Sequence, residues 1–423
     1  MTRNPAVPDP LAARRAAATL VRSVVEGGRL LRDAGAPLIP LSAEDRARAQ
    51  RLALDTLRRI GPLDALAARH LRHPPPAAVR AVLRVALAEL VQRPTEAHGI
   101  VNAAVTLARE AGGKGAGGLV NAILRRLAAD PAPGALAVQR LPDWIRTPVV
   151  GAWGEEAAAA MEAAHLAGPA LDLTLRDPGA AADWAARLGG RVLATGGIRL
   201  DPGRQVTALE GYDAGAWWVQ DAAASVPAQI LAPRPGERVA DLCAAPGGKT
   251  LQMAAAGAQV TAVDIAPGRM ERVAENLARC RLEAELVVAD LRDWQPAEAF
   301  DAVLLDAPCS ATGTIRRHPD LPFARRAGDL HELIALQAEL FDRAVAMVRP
   351  GGRIVYATCS IIPAEGEGQL AAALRRHPQL APAPLPEWTA AWQADPGALR
   401  IRPDHWADGG GIDGFFVASL RRG

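Results

Sequence analysis

Lysine is nearly absent from this 423-residue sequence: Lys114 and Lys249 are the only two among 48 basic side chains. Where arginine is favoured this strongly, a lysine is a candidate for a position that a planar guanidinium would not fit. Both lysines fall in glycine-rich stretches. Aromatic residues make up 4%, but the hydrophobic fraction of 50%, much of it alanine, still allows sizeable cores. No apolar run approaches the roughly 18–20 residues that a bilayer span requires. The first residues, MTRNPAVPDPLAARR, lack the apolar stretch of a secretory signal, so a cytoplasmic protein with no membrane partner is expected. The four cysteines, Cys243, Cys280, Cys309 and Cys359, form no C-x-x-C pair, and a chain this large needs no disulfide framework. The eight histidines show no ligand spacing, so no metal site is expected, and there is no internal repeat.

Charge is scarce overall but uneven. Formal net charge is +2, yet residues 1–130 hold 20 Lys+Arg against 11 Asp+Glu, or +9, and the remainder is −7. A basic N-terminal third on an acidic body points to a polyanionic partner. Residues 11–130 have helical periodicity, with a Ser42 N-cap signal, Glu44 and Asp45 in the turn after it, and prolines before AAVRAVLRVALAELVQ. AGGKGAGG reads as a loop between two of these helices, and DPAPGALAVQRLPDW as a domain boundary. LDLTLRDP, DWAARLG, GRVLATGGIRLDP and WWVQDAAASVPAQIL suggest a small α+β connector. Beyond residue 236, Val/Leu/Ile-rich strands alternate with helices, the signature of a parallel sheet with right-handed crossovers, and ALRIRP with GFFVASLRR closes the chain as an antiparallel pair. The expected domains are residues 1–135 all-helical, 136–215 connector and 216–423 α/β.

DLCAAPGGKT joins the first strand of that sheet to a helix. Gly247 and Gly248 permit a tight turn and close backbone approach, as nucleotide-cradling junctions require. The stretch is not G-x-G-x-x-G, which weakens a dinucleotide reading and leaves an NAD-dependent oxidoreductase as a lesser rival. Strands ending at Asp264 and Asp290 supply carboxylates for the ribose hydroxyls and adenine edge of an adenosine-bearing cofactor. Together these features favour S-adenosylmethionine.

LLDAPCSATG and IVYATCSIIP end two successive strands on Cys309 and Cys359. A methyl donor and two thiols at one sheet rim suggest methylation of an unreactive carbon. A thiolate adding to carbon 6 of a pyrimidine activates carbon 5 towards a methyl sulfonium; loss of the carbon-5 proton then lets the thiolate leave. Lys249 or the sulfonium could lower a thiol pKa from about 8.5, and Asp306 could hold the exocyclic amine or ring nitrogen of a cytosine. The chemistry alone leaves open which cysteine attacks and which assists release. RRHPD, residues 316–320, is placed for a phosphate contact.

DLCAAPGGK, DAPCSATG followed by RRHPD, and ATCS closely resemble the RNA 5-methylcytosine methyltransferases of the Sun/NOL1/NOP2 group, in its RsmB-type bacterial branch. DRARAQRL, VNAAV and GLVNAILRRL resemble the NusB-like RNA-binding domain that this branch carries. The resemblance spans nearly the whole chain. It implies a class I Rossmann-like methyltransferase domain with a seven-stranded, mostly parallel sheet, preceded by the NusB-like domain and the connector. It implies Cys359 as nucleophile and Cys309 as the release residue, with Asp306 and Lys249 also catalytic. It implies cofactor binding by Cys243, Ala244, Ala245, Pro246, Gly247, Gly248, Lys249, Asp264, Asp290 and Asp306. The implied partner is RNA, above all 16S rRNA, with no DNA, and the chain is expected to be a monomer. A tRNA cytosine-5 methyltransferase and a non-catalytic RNA-binding or assembly protein are the alternatives; the cysteines and glycine turn oppose the latter.

Overall fold

The computed structural model describes residues 9–129 and 136–423. Of the boundary expected in DPAPGALAVQRLPDW, residues 130–135 lie outside them. The chain forms two compact units: one reaches as far as Pro142 and includes His318–Arg326, the other comprises Asp143–Arg317 and Ala327–Gly423. Among the described residues no helix is long and apolar enough to cross a membrane.

The first unit is built on α1 (Ala12–Val25), α2 (Ala43–Leu57), α3 (Ile60–Ala68), α4 (Ala77–Gln92) and α5 (Ala97–Ala128). α2 begins at the expected cap: the Asp45 N–H donates to Ser42 Oγ at 3.1 Å, satisfying one of the amides a helix start leaves open. α4 is buried nearly all round, so it forms the centre of the unit; even its Arg84 is inside, held by Asp64 at 2.8 and 2.6 Å. The loop expected at AGGKGAGG is only a two-residue break in α5, at Gly112 and Gly113. Gly113 has φ +78°, which favours glycine at the kink, and a Cβ on Gly112 would lie 2.8 Å from Val79 Cγ2, so Gly113 serves the break and Gly112 the close packing beside it. Lys114 is accordingly helical. The segment His318–Arg326 joins this unit through Phe323, packed on its core, and Asp320 Oδ2, which accepts the Leu31 N–H at 2.8 Å.

The second unit opens with α6 (Asp143–Ala167), then β1 (Leu171–Leu175), α7 (Ala181–Leu188), β2 (Arg191–Val192), β3 (Ile198–Leu200) and β4 (Trp217–Val219). The four strands form an antiparallel sheet in the order β2-β3-β1-β4, matching the expected α+β connector in composition. α8 (Ala222–Leu231) leads into β5 (Arg238–Leu242), α9 (Gly248–Ala255), β6 (Gln259–Asp264), α10 (Pro267–Cys280), β7 (Glu285–Val288), β8 (Phe300–Asp306), β9 (Val348–Thr358), β10 (Leu380–Pro382), β11 (Gln393–Asp395), β12 (Ala398–Ile401) and β13 (Phe415–Arg422). The sheet runs β11-β12-β13-β9-β8-β5-β6-β7, with β10 beside β13. β9, β8, β5, β6 and β7 are mutually parallel, and β13 returns antiparallel to β9. The expected seven strands are nine: β10 and β11 are three residues each, too short to show the alternation by which a strand is read from sequence. Chain order reverses between β5 and its neighbours β6 and β8. That switch point opens a crevice at the carboxyl ends of the strands.

Near this sheet Arg199 on β3 is 4% exposed and holds Asp172 on β1 at 2.6 and 2.7 Å, while donating to the Gly409 and Gly411 carbonyls. Asp172 also accepts the first amide of α8 at 3.1 Å. Removing the cation would strand a buried carboxylate, so Arg199→Ala is expected to destabilise the chain by about 3–5 kcal/mol, and Arg199→Lys, which cannot grip both oxygens, to recover only part. Urea unfolding followed by tryptophan fluorescence measures both.

Candidate active site

β8 and β9 are neighbours in parallel register, Asp306 opposite Ala357. Their continuations therefore leave the sheet side by side at the crevice rim. The Cys309 and Cys359 sulfurs lie 3.5 Å apart, and neither residue is sealed from solvent. The contact with Cys359, and next burial, push the Cys309 thiol well above its ordinary range, so Cys309 holds its proton. Cys280, by contrast, is fully buried on α10, a packing residue as its helical context suggests.

Behind the thiols is a knot of hydrogen bonds centred on Glu365, which is fully buried. Its carboxylate accepts the Ser310 N–H at 2.8 Å, the Ser310 and Ser360 hydroxyls at 2.5 Å each, and Gln337 Nε2 at 2.9 Å. Thr312 Oγ1 lies 3.1 Å from both serine hydroxyls and accepts the Ile361 N–H at 3.1 Å. The backbones are also tied: the Gly313 N–H donates to the Cys359 carbonyl at 3.0 Å, and the Gly414 N–H to the Gly313 carbonyl at 2.8 Å. A Cβ on Gly313 would lie 2.0 Å from the Gly414 oxygen, so glycine alone allows this approach. Sequence reading missed Glu365, Gln337 and Thr312; the available signal was the serine that follows each cysteine.

Of RRHPD, expected to meet a phosphate, Arg317 keeps a side chain 37% exposed, but Arg316 is withdrawn into the interior. It is 1% exposed, with Nη1 on the Gly410 carbonyl at 2.5 Å and Nη2 on Asp221 at 3.2 Å, and Arg317 pairs with Asp413 at 2.5 Å. Two buried carboxylates, Asp221 and Asp413, require these cations.

Cys243, Ala244, Ala245, Pro246 and Gly247 connect β5 to α9, which opens on Gly248 and Lys249. Cys243 and Gly247 both have positive φ, at 63° and 98°, and a Cβ on Gly247 would press Val273 at 3.0 Å. Asp264, 2% exposed at the end of β6, accepts the Ala245 N–H at 3.2 Å, the Ala266 N–H at 2.9 Å and Arg269 at 2.8 Å. Asp290 stands two residues beyond the end of β7; its carboxylate is gripped by the Arg292 side chain, which with the Arg292 amide lowers it to about 2. Ile265 and Val288, next to these strand ends, are 59% and 51% exposed, leaving apolar surface beside polar groups. This combination fits an adenosine-bearing group: bare glycine backbone, carboxylates at three strand ends and open aliphatic faces. Lys249 does not face the thiols as a free cation. Burial would lower its pKa, but Asp306, whose Oδ2 it meets at 2.8 Å, raises it further, with Asp241 and Cys359 adding to that field. Its ammonium also lies 5.3 Å from the Phe415 ring centroid.

The comparisons with known proteins fall on the same geometry. Residues 228–421 match the model of the 16S rRNA methyltransferase RsmB/F family, and residues 11–129 that of the NusB family. The ribosomal RNA small subunit methyltransferase B of Xanthomonas campestris is 35% identical over 97% of each chain. The chain belongs to the RsmB/F family of 16S rRNA methyltransferases. The protein of the same description from Pseudomonas putida is 36% identical, covering 96% of this chain and 98% of its own. Among solved structures, PH0851 superposes with a TM-score of 0.76 at 23% identity, over 98% of this chain and 100% of that one, which shows a shared fold. This chain thus has a helical NusB-like region followed by a mixed-sheet methyltransferase domain.

Beneath the loop, Asp241 is fully buried; its Oδ2 accepts the Thr250 hydroxyl at 2.6 Å and its Oδ1 has no hydrogen-bond partner among the described residues. Burial pushes its carboxyl up from 3.8 to about 7 against the opposing Thr250 bond. Between those values the folded chain holds a proton that the unfolded chain has lost, so this group's contribution to stability declines as pH rises. Asp241→Asn is expected to remove the decline, gaining about 1–3 kcal/mol over the native chain at pH 8 relative to pH 5. Urea titrations of both chains at the two pH values measure it.

Proposed function

We propose that this chain transfers a methyl group from S-adenosylmethionine to carbon 5 of a cytosine in RNA, namely small-subunit rRNA, through a covalent adduct of Cys359 with carbon 6. The 3.5 Å contact between two half-buried thiols at the strand-end crevice carries this reading. Transfer to an oxygen or nitrogen needs no thiol pair; an unreactive ring carbon does need a nucleophile to activate it. The RNA substrate is supported by family membership, by the relatives' common description and by the +9 charge of residues 1–130.

The cofactor would be held by the loop from Cys243 to Lys249 with Asp264, Asp290 and Asp306. When bound, S-adenosylmethionine supplies an electrophilic methyl carried on a sulfonium. The chain's residues do the rest. A target base leaves its stack to enter the crevice, which favours a loop or single strand. The Cys359 thiolate adds to carbon 6, and the electron pair moves towards carbon 5. Asp306, steadied by Lys249, has a second carboxylate oxygen that accepts no hydrogen bond among the described residues, and that oxygen faces the work of holding a cytosine amine or ring nitrogen. The carbon-5 proton must pass to solvent water acting as base, so that its electron pair re-forms the 5,6 double bond and expels the Cys359 thiolate. Cys309, in contact with the departing sulfur, serves that release step. The TCS and PCS motifs support this division of labour; a DNA cytosine methyltransferase would use its Pro-Cys cysteine as nucleophile.

Separate substitutions test the assignment. With rRNA transcript and S-adenosylmethionine, Cys359→Ala is expected to lose at least about 1000-fold in kcat. Cys309→Ala is expected to accumulate an RNA–protein adduct that survives denaturing electrophoresis. Turnover persisting in Cys359→Ala would overturn the nucleophile role. Bisulfite sequencing of total RNA from a deletion strain identifies the target, and a lost methylcytosine in tRNA rather than rRNA would redirect the substrate.

A further inference from the structure

We infer that Glu365 is a positioning residue for the thiol pair: by binding both Cys-Ser dipeptides through one buried carboxylate, it sets the separation and orientation of Cys309 and Cys359. The inference rests on the catalytic reading above and extends it to a residue that touches neither cysteine directly.

The two cysteines sit on different segments, fifty positions apart, each just past the end of its strand. The β8–β9 pairing fixes the backbone only as far as Asp306 and Ala357, and β13 holds β9 one residue further, to Thr358. Beyond that, both serines that follow the cysteines meet Thr312 Oγ1 at 3.1 Å and, at 2.5 Å, the carboxylate of Glu365, the one charged group among the described residues that binds both. Glu365 takes the Ser310 amide and hydroxyl and the Ser360 hydroxyl, and Gln337 completes its coordination. It is itself fixed, since its carbonyl accepts the Tyr356 hydroxyl at 2.8 Å and Tyr356 lies on β9. Ser360 is held from a further side by Arg400, which donates to its carbonyl and pairs with Glu367 at 2.6 Å. Burying a carboxylate is costly unless all its lone pairs are used. Four short donors from three segments satisfy that condition and leave the carboxylate little freedom to move. Because two adjoining sulfurs must meet carbon 6 and the reaction's release step in turn, a drift of one ångström in either costs on the order of 100-fold in rate. Glu365 also contributes negative charge to the field that keeps the Cys309 proton in place, after the larger effects of Cys359 contact and burial.

The test separates geometry from turnover. Phenylarsine oxide condenses with two adjacent thiols to form two arsenic–sulfur bonds, releasing one water, and so reports their spacing without RNA or cofactor. The native chain is expected to bind it stoichiometrically and Cys309→Ala not to. Glu365→Ala, and the double variant Ser310→Ala/Ser360→Ala, are expected to bind it at least about 10-fold more weakly and to lose about 100-fold in kcat, with KM for RNA and calorimetric binding of S-adenosylmethionine unchanged. Glu365→Gln keeps an acceptor and is expected to recover part of both. Native arsenical affinity and native kcat in the folded double serine variant, or in folded Glu365→Ala or Glu365→Gln, would overturn the inference. If the native chain fails to methylate RNA, the catalytic reading falls, whereas the arsenical comparison still decides whether Glu365 spaces the thiols.

Discussion

The pairing of β8 with β9 is the constraint on which the rest of this molecule depends. Parallel neighbours in register deliver their next residues to the same rim, and here those residues lead to Cys309 and Cys359. A slip of one residue would reverse the facing of every side chain beyond it. The surroundings enforce the pairing: Gly313 bonds the Cys359 carbonyl, Gly414 bonds Gly313, and β13 returns along the far side of β9. The C-terminal strand is therefore part of the site's framework, although it contributes no thiol.

Several arginines of the second unit serve in its interior. Arg199, Arg316 and Arg400 are each at most 5% exposed, and each joins a carboxylate to one or more loop carbonyls. A planar cation with several donors can do both at once, whereas an ammonium makes a point contact. Lys249 is the complementary case. Its narrow head reaches Asp306 beside a glycine turn and over the Phe415 ring. The composition bias seen first in the sequence thus has a local explanation at one of the two lysines; Lys114, on its glycine-flanked helix, has none.

The chain's two halves were legible to different degrees. Helices with a marked cap, such as α2 with Ser42, were readable because capping is a local interaction. The parallel core was readable because buried strands are apolar throughout. β10 and β11 were not, since three residues carry no period and form only where a partner edge is ready. AGGKGAGG misled because glycine signals a loop and close helix packing alike, and Val79, far away in sequence, decides between them. RRHPD misled at Arg316 for a related reason: an arginine in a polar run reads as surface, while Asp221, the carboxylate that draws it in, stands 95 positions away.

What the sequence determined by itself was the inventory: a glycine turn after an apolar strand, carboxylates at successive strand ends, and two strands that finish on Cys-Ser. These are short-range patterns, each contained within about ten residues. The tertiary structure decided the relations among them. It brought the sulfurs to 3.5 Å, tied Lys249 to Asp306, drew Arg316 inward and set Glu365 behind both serines. Such relations depend on strand order and on which buried charges must find partners, and both are settled only when segments remote in the chain are packed together.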